Sequence, residues 1–435
     1  MSAKEIHPLM RGLTGEIHIP GDKSISHRSI MLSALGNGSV HIKNFLHGQD
    51  CLSTLAAFDA MGVQTEFLSE TELMIHGVGL HGLKKPDVIL DAGNSGTTLR
   101  LMLGIMAGQK FPVTFTGDSS LKRRPMNRVI DPLSLMGANI VGSDNNRHLP
   151  IKVSPTDKLS GMVYDMPVAS AQVKSAILLA AMYADSPTTI IENHPSRDHT
   201  ERIMQAFGAN LTRRGPAITV QPVTELTSPA EICVPGDISS AAYFMVAATI
   251  IKGSNLLLKN VGINPTRTGI IDVLKDMGAN IEITNKTISG GEEAADIRVR
   301  SAALTGTSFG AAMIPRLIDE VPIIAVAAAF AKGDTIITGA QELRVKETDR
   351  IEAVTKEINK LMPGAVESLP DGLKIHGGQS VTRARVTSYD DHRMAMSLTV
   401  CAAAGAGAAI DNPECVDISY PGFFAAWNSM YGNSL

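Results

Sequence analysis

One segment near the start of the sequence combines two cations with hydroxyl groups ahead of an apolar stretch. Residues Gly21–Arg28 read GDKSISHR. Lys23 offers a point charge to a phosphate oxygen, whereas Arg28 can hold an oxyanion with two parallel N–H groups. The nucleotide-binding spacing G-x-x-x-x-G-K-[ST] is absent from the segment, which therefore gives no support to ATP binding. The alternative is a solvated basic turn.

A second small-residue turn and a basic run follow. Asp91–Arg100 reads DAGNSGTTLR, in which Gly96 lets the backbone approach a ligand closely and Asn94 can hydrogen-bond to it. Lys122–Arg124 is a run of three cations, which repel one another unless an anion or a carboxylate neutralises them. A ligand-free turn and a solvated charge run are the alternatives.

Neutral donors and a further cation lie beyond this point of the chain. Ser170 and Gln172 precede an apolar stretch, and Ser196 and Arg197 follow it. Such side chains suit a hydroxylated phosphate ester, because hydroxyl groups call for partners that both accept and donate hydrogen bonds.

The C-terminal half adds acids to the bases. Asp319 begins an apolar stretch, Arg344–Arg350 reads RVKETDR, and Asp390–Arg393 precedes another Met- and Ala-rich stretch. Alternating charge usually marks solvated ion pairs on a surface helix. A charged group without a partner would be costly beside an apolar helix, however, because it loses its hydration there. A carboxylate at such a position can act as a general base.

Six stretches that begin with small polar residues and continue as apolar segments must position these side chains. Helices without a polar face are predicted to be buried, and their starts cap free N–H groups and attract anions. Ordinary caps without a ligand are the alternative. The stretches open at Lys23-Ser24, Asn94-Ser95, Ser170-Ala171, Asp237-Ile238, Asp319-Glu320 and Asp390-Asp391.

The chain also contains a half-length repeat. Ile19–Ser24, with the sequence IPGDKS, returns as VPGDIS at Val234–Ser239, about 215 residues later. The six stretches recur at intervals of roughly 70 to 80 residues. This duplication predicts two similar α/β domains, one at 21–235 and one formed by 1–20 with 236–435, each built from three repeats.

Bulk composition excludes several classes. The sequence has 39 Lys and Arg against 43 Asp and Glu, so no nucleic acid partner is expected. Its four cysteines lack CxxC spacing, which argues against structural zinc and a disulfide framework. The apolar stretch at 321–331 is too short to span a membrane, and residues 1–10 lack a signal-peptide pattern. We expect a cytoplasmic protein.

Taken in order, five segments resemble the motifs of the 5-enolpyruvylshikimate-3-phosphate synthase family over essentially the whole chain. The resemblance implies two domains, each of three βαβαββ repeats with buried parallel helices, an inside-out α/β barrel. It also implies transfer of the enolpyruvyl group of phosphoenolpyruvate to the 5-hydroxyl of shikimate 3-phosphate, in aromatic amino acid biosynthesis, without a metal or organic cofactor. The segments are Gly21–Arg28, Gly93–Thr97, Arg124-Pro125, Arg344–Arg350 and Asp391–Arg393.

The same resemblance implies roles for individual residues. Asp319 would be the general base for the 5-hydroxyl, and Glu347, with Lys23, would deliver the proton to C3. The residues implied for shikimate 3-phosphate are Lys23, Ser24, Arg28, Ser170, Gln172, Ser196, Arg197, Asp319 and Lys346. Those implied for phosphoenolpyruvate are Lys23, Asn94, Gly96, Arg124, Gln172, Arg350 and Arg393.

Some positions depart from the family pattern. Ala171 stands where many members have a second serine, Glu342 stands where many have an asparagine, and 415–421 lacks a lysine that some members have. Residues 170–176 and 196–199 look like those of glyphosate-tolerant members, whereas Gly96 leaves room for that inhibitor, so sensitivity to it stays open.

Two rival functions stay open beside this one. A related transferase acting on UDP-N-acetylglucosamine would need a reactive cysteine in the loop 118–124, which has none. A non-catalytic sensor of sugar phosphates would need the anion sites but not Asp319 and Glu347 together. We expect a monomer that binds only small molecules.

Overall fold

The computed structural model describes residues 3–430 and divides the chain into two compact units. The N-terminal unit comprises Gly21–Pro235 together with Ile288–Glu292. The C-terminal unit comprises the residues up to Pro20, Gly236–Thr287, and those from Glu293 onward. Each unit has its own hydrophobic core.

Both units contain strands and helices in a repeated order. The strands are β1 (Lys4–Ile6), β2 (Thr14–His18), β3 (Ser39–Lys43), β4 (Gln64–Ser69), β5 (Glu72–His76), β6 (Leu90–Asp91), β7 (Val113–Thr116), β8 (Asn139–Gly142), β9 (His148–Ser154), β10 (Val163–Asp165), β11 (Thr188–Ile191), β12 (Leu211–Arg214), β13 (Ala217–Val220), β14 (Glu231–Cys233), β15 (Asn255–Gly262), β16 (Asn280–Ser289), β17 (Glu292–Arg300), β18 (Ser308–Phe309), β19 (Asp334–Ile337), β20 (Val366–Leu369), β21 (Gly372–His376), β22 (Ala384–Thr387) and β23 (Ala408–Asp411). The helices are α1 (Lys23–Leu35), α2 (Gln49–Ala60), α3 (Gly96–Ala107), α4 (Asn127–Leu135), α5 (Ala171–Ala181), α6 (His199–Ala206), α7 (Ile238–Ile250), α8 (Gly269–Asp276), α9 (Val321–Ala329), α10 (Arg350–Leu361), α11 (His392–Ala404) and α12 (Phe423–Ser429).

The sheets of the N-terminal unit repeat one topology. Their strand orders are β14-β3-β5-β4, β6-β7-β9-β8 and β10-β11-β13-β12. In each sheet the first two strands are parallel and the other neighbours are antiparallel. The parallel pair is joined through a helix in the second and third repeats, as a parallel connection requires. The first repeat takes its parallel strand, β14, from the end of the unit.

The C-terminal unit has the same sheet topology, except that one of its sheets has three strands instead of four. Its sheets have the orders β16-β17-β15-β2, β18-β19-β21-β20 and β1-β23-β22. Strand β2, from the start of the chain, lies parallel to β15, with Leu256 opposite Gly15. In the third sheet β22 is parallel to β23, and β1 pairs with β23 in the antiparallel sense. The βαβαββ repeats expected from the sequence are confirmed.

The first helix of each repeat lies in the core of its unit. These helices are α1, α3 and α5 in the N-terminal unit and α7, α9 and α11 in the C-terminal unit. Every residue of α9, whose sequence is VPIIAVAAA, is buried. A helix that is apolar on all sides must be enclosed, which is why each is covered by sheet and by second helices. The burial predicted for the six stretches is therefore confirmed.

Two other properties concern the described residues. Within 3–430, no helix is both long and apolar enough to cross a lipid bilayer. Cys51, Cys233, Cys401 and Cys415 are all free thiols.

Close packing of α3 against α5 yields a test of the core. A Cβ atom at Gly104 would lie 2.2 Å from the carbonyl oxygen of Ala176. We expect Gly104→Ala to lower the free energy of unfolding by about 1 to 3 kcal/mol, because the backbone of α5 would have to move. Urea unfolding measures this change, with Ser134→Ala on the exposed side of α4 as the control. A variant more stable than the parent would show that the helices separate readily.

Candidate active site

In the N-terminal unit, the start of α1 carries the first predicted cation. Asp22 caps the helix by accepting a hydrogen bond from the backbone N–H of Ile25 at 2.9 Å. The Lys23 ammonium lies 3.1 Å from Asp50 Oδ2, and both side chains are only slightly exposed. Asp50, which the sequence prediction did not include, thus neutralises and orients Lys23. The carbonyl of Ser24 accepts a hydrogen bond from Arg28 Nη1 at 2.9 Å.

Arg28 is a buried cation that ties three helices of this unit together. Its Nε donates to Thr200 Oγ1 at 2.7 Å and its Nη2 donates to Ser175 Oγ at 2.9 Å. Burial lowers the pKa of Arg28 to about 10, against the opposing effect of Glu201 and other carboxylates. Arg28 therefore remains charged at neutral pH and supplies positive potential beneath the start of α1.

The start of α3 places Asn94, Gly96 and Arg124 together. Arg124 Nη2 donates to Asn94 Oδ1 at 3.0 Å, while Asn94 Nδ2 donates to Asp118 Oδ2 at 2.6 Å. A Cβ at Gly96 would lie 2.5 Å from Arg100 Nη1, so the glycine leaves space for that guanidinium. Ser95 caps the helix by accepting from the N–H of Thr98 at 3.1 Å.

The start of α5 is linked to that of α3 through Gln172. Arg100 Nη1 donates to Gln172 Oε1 at 2.8 Å, and Gln172 Nε2 donates to Thr97 Oγ1 at 3.1 Å. These two bonds fix which end of the side-chain amide faces which neighbour. Ser170 caps α5 through the N–H of Val173. Arg100 was absent from the predicted site, although it closes the motif that pointed to Asn94 and Gly96.

Ser196 lies deeper than the sequence suggested. It is 5% exposed, and its backbone N–H and its hydroxyl both donate to Glu192 Oε1. A hydroxyl that already donates to a carboxylate has no hydrogen left to donate to a phosphate. Arg197, the next residue, is only partly buried.

In the C-terminal unit, three cations surround Asp319. Its Oδ1 lies 3.4 Å from Arg350 Nη1 and 3.8 Å from Lys346 Nζ. Its Oδ2 lies 3.7 Å from Arg393 Nη2. The residue occupies a 3₁₀ turn, Ile318–Glu320, just before α9, as the acidic start of that stretch predicted. The structure thus brings together four predicted residues from three segments of the sequence.

Arg350 is the most enclosed member of this group. It is 1% exposed, its Nε donates to Asp391 Oδ2 at 2.7 Å, and its Nη2 donates to Glu347 Oε2 at 2.6 Å. Burial alone would lower the pKa of Arg350, but Asp391 and Glu347 raise it above its ordinary value. Arg350 in turn outweighs burial and lowers the pKa of the Asp391 carboxyl. Asp391 also caps α11 through the N–H of Arg393.

A second group of buried charges lies behind Arg393. Glu320, 1% exposed, accepts a hydrogen bond from Ser239 Oγ and lies 3.8 Å from Arg393 Nη1. Ser239 accepts in turn from Arg267 Nη2 at 2.7 Å. Burial acts to lower the pKa of Arg393, but Asp319 and other nearby anionic groups raise it well above its ordinary value. Sequence reasoning noted the charge at Glu320 but gave no signal for Arg267.

Arg344 lies in the same charged motif but has a structural role. Its guanidinium donates to Asp349 Oδ2 at 2.9 Å and to the carbonyl of Leu369 at 2.8 Å. Asp349 caps α10 by accepting from the N–H groups of Ile351 and Glu352. The alternating charges of this motif therefore serve both helix capping and the group around Asp319.

The arrangement can bind anions in both units and offers carboxylates for proton transfer in the C-terminal unit. Among residues 3–430, no group of three or more His, Cys, Asp and Glu side chains could hold a metal ion. The site residues themselves supply ammonium, guanidinium, hydroxyl, amide and carboxylate groups at or near helix starts.

Comparison with known proteins shows the family of this chain. A family model described as EPSP synthase (3-phosphoshikimate 1-carboxyvinyltransferase) matches residues 10–427. A protein of Desulforudis audaxviator named 3-phosphoshikimate 1-carboxyvinyltransferase is 53% identical over 422 residues, covering 97% of each chain. The chain belongs to the EPSP synthase family. A relative of the same name from Thermoanaerobacter sp. (strain X514) is 50% identical over 421 residues, covering 97% of this chain and 98% of the relative.

Solved structures place the fold in the same family. EPSP synthase from Acinetobacter baumannii superposes with a TM-score of 0.90 at 42% identity, covering 99% of this chain and 98% of that one. The enolpyruvyl transferase NikO from Streptomyces tendae reaches a TM-score of 0.78 at 16% identity, covering 98% and 97%. The second likeness concerns the fold alone. The family relationship and the two-domain fold expected from the sequence are both confirmed.

A buried histidine in α1 should make the stability of the protein depend on pH. His27 Nδ1 lies 2.7 Å from Thr54 Oγ1, which lies 2.7 Å from Thr98 Oγ1 at the start of α3. Burial lowers the pKa of His27 to about 3, so the ring is neutral in the folded chain. In the unfolded chain His27 has its ordinary pKa near 6.5. The contribution of the neutral ring to the free energy of unfolding is therefore lost as the pH falls below that value.

We expect the free-energy difference between the parent and His27→Gln to shrink by about 2 kcal/mol between pH 7.5 and pH 5. At the lower pH the histidine of the unfolded parent binds a proton that the folded chain does not bind, which lowers the free energy of unfolding, whereas glutamine does not titrate. Urea unfolding of both proteins at the two pH values measures the difference. A difference independent of pH would mean that His27 takes up a proton in the folded chain as readily as in the unfolded chain.

Proposed function

We propose that the protein is a 3-phosphoshikimate 1-carboxyvinyltransferase, which transfers the enolpyruvyl group of phosphoenolpyruvate to the 5-hydroxyl of shikimate 3-phosphate. The observation that carries the proposal is the 53% identity over 97% of the chain to a relative of that name. The reaction belongs to aromatic amino acid biosynthesis. The residues at the helix starts have the charges and hydrogen-bonding groups that this reaction needs.

The charge of the substrates matches the cations of both units. Phosphoenolpyruvate carries a phosphate and a carboxylate, and shikimate 3-phosphate carries one of each as well. Guanidinium groups grip such anions with two parallel hydrogen bonds, whereas ammonium groups act as point charges. We assign shikimate 3-phosphate to Lys23, Ser24, Arg28, Ser170, Gln172, Arg197, Asp319 and Lys346. Ser196, whose hydroxyl donates to Glu192, is assigned to orienting the segment that carries Arg197. We assign phosphoenolpyruvate to Lys23, Asn94, Gly96, Arg124, Gln172, Arg350 and Arg393.

The first step forms the bond between the 5-oxygen of shikimate 3-phosphate and C2 of phosphoenolpyruvate. Asp319 accepts the proton of the 5-hydroxyl, and C3 receives a proton from Glu347, assisted by Lys23. Glu347 Oε2 lies 2.6 Å from Arg350 Nη2, so the same guanidinium contacts both the proposed acid and Asp319. The product of the step is a tetrahedral phospho-ketal with a methyl group at C3.

The second step breaks the bond between C2 and the phosphate oxygen. C3 returns a proton to the carboxylate that Glu347 became in the first step, the electron pair of that C–H bond forms the C2–C3 double bond of the enol ether, and the phosphate leaves with the electrons of the C2–O bond. Cations already fixed in place stabilise the charge that grows on the leaving phosphate, because they need not reorganise during the reaction. Arg350 is one such cation, and its buried ion pair with Asp391 holds it in place.

We include in the proposal that the enzyme acts as a monomer in the cytoplasm. Four free thiols fit a reducing compartment. Light scattering on the purified protein tests the oligomeric state.

Phosphate release measured with combinations of substrates tests the proposed reaction. We expect phosphate only when phosphoenolpyruvate and shikimate 3-phosphate are both present. Replacing shikimate 3-phosphate by UDP-N-acetylglucosamine should give none, because the loop 118–124 has no cysteine. Release with the nucleotide sugar would assign the chain to the related transferase, and binding without release would assign it to a sensor.

Substitution of Asp319 tests the proposed general base. We expect Asp319→Ala to retain binding of shikimate 3-phosphate but to lower kcat at least about a hundredfold, the typical loss for an acid or base. Steady-state kinetics and calorimetric titration measure the two effects. Asp334→Ala, on strand β19 with a half-exposed side chain, is the control. Near-normal turnover of the Asp319 variant would remove this residue from the mechanism.

A further inference from the structure

A fully buried lysine in the N-terminal unit has taken no part in the functions described so far. Lys174 lies on α5 and is 0% exposed. Its ammonium lies 2.7 Å from Glu201 Oε1, and it donates to Glu192 Oε2 at 3.2 Å and to the carbonyl of Ser196 at 3.3 Å. An ammonium has three hydrogens, and three different residues meet them.

Glu192 completes a closed ring with Lys174 and Ser196. Glu192 Oε1 accepts the backbone N–H of Ser196 at 2.8 Å and also its hydroxyl. The ion pair therefore holds Ser196 by the N–H of one peptide group and the carbonyl of the next. Both members of the pair are buried, so their attraction is little screened by solvent.

This ring determines the position of the next residue. The carbonyl that Lys174 holds belongs to the peptide bond between Ser196 and Arg197, so fixing its plane sets where the Arg197 side chain begins. Ser196 itself directs its hydroxyl toward Glu192. A role in orienting the segment therefore suits Ser196 better than donation to a phosphate.

We propose that Lys174 and Glu192 are positioning residues, which fix the backbone at Ser196 and thereby place Arg197 for the phosphate of shikimate 3-phosphate. The proposal rests on the proposed function, because it concerns one of the two substrates of that reaction. Neither residue touches the reacting atoms. Their effect should therefore appear in the KM for shikimate 3-phosphate and leave the KM for phosphoenolpyruvate unchanged.

Steady-state kinetics of four variants test the proposal. Lys174→Met removes the buried ammonium that faces the carboxylates of Glu192 and Glu201, which threatens folding. The double variant Lys174→Met with Glu192→Gln removes one of these charges, and Glu192→Asp keeps the charge but shortens the side chain. Arg213→Gln is the matched control. The Arg213 side chain is partly exposed, and its Nη2 lies 3.4 Å from Glu192 Oε2, but Arg213 does not contact the Ser196 backbone.

We expect the KM for shikimate 3-phosphate to rise tenfold or more in Glu192→Asp and in the double variant. The KM for phosphoenolpyruvate should stay within about twofold of the parent, and Arg213→Gln should behave as the parent. The double variant should also have a higher unfolding temperature than Lys174→Met. The KM for shikimate 3-phosphate reports the position of Arg197, and the unfolding temperature reports the stability of the protein, so the two effects can be distinguished.

Other outcomes would overturn the proposal. If both KM values rise together, or if the double variant regains the parent's KM for shikimate 3-phosphate, the ion pair serves stability alone. Unchanged kinetics in Glu192→Asp would likewise remove it from substrate binding. A parent that releases no phosphate with the two substrates would refute the proposed function instead, which keeps the two failures distinct.

Discussion

The burial of most of the first helix in each repeat constrains everything else in this chain. Such helices pack apolar side chains on nearly all sides, and so their charged groups lie in the first two turns or just before them. In α9 every residue is buried, and the carboxylate of Asp319 lies in the turn just before it. The orphan N–H groups at each start require acceptors, and the same positions favour anions. Core packing and anion binding thus depend on one feature.

Buried ion pairs then give the helix starts their rigidity. Arg350 and Asp391 are both almost inaccessible, and Asp391 also caps α11. Removing one member of such a pair leaves an uncompensated buried charge, which typically costs about 3 to 5 kcal/mol. In the N-terminal unit, Lys174 and Glu192 form a comparable pair that holds a backbone segment. The polar groups nearest the surface are thus oriented by charged groups that solvent does not reach.

The local features of the site could be predicted from the sequence, whereas the long-range pairings could not. Ser95 and Asp237 accept hydrogen bonds from N–H groups two or three residues ahead, and such caps leave a pattern in the sequence. The order of the motifs likewise predicted the family, and the resemblance to that family implied the βαβαββ repeat. Glu192 and Asp50, by contrast, meet their partners through the fold, and nothing in their neighbourhood marks either as part of a site. The Ser196 hydroxyl, by contrast, is oriented locally by Glu192, which directly follows β11 and precedes Ser196 in the same loop.

The central claim is that cations held at the helix starts bind the two anionic substrates. A crystal structure of the protein with shikimate 3-phosphate and a saturated analogue of phosphoenolpyruvate tests it most directly. The account predicts substrate oxygens within about 3.2 Å of Lys23 Nζ and of the guanidinium groups of Arg124 and Arg393. Substrates bound elsewhere, with these three side chains still on the partners described here, would contradict it.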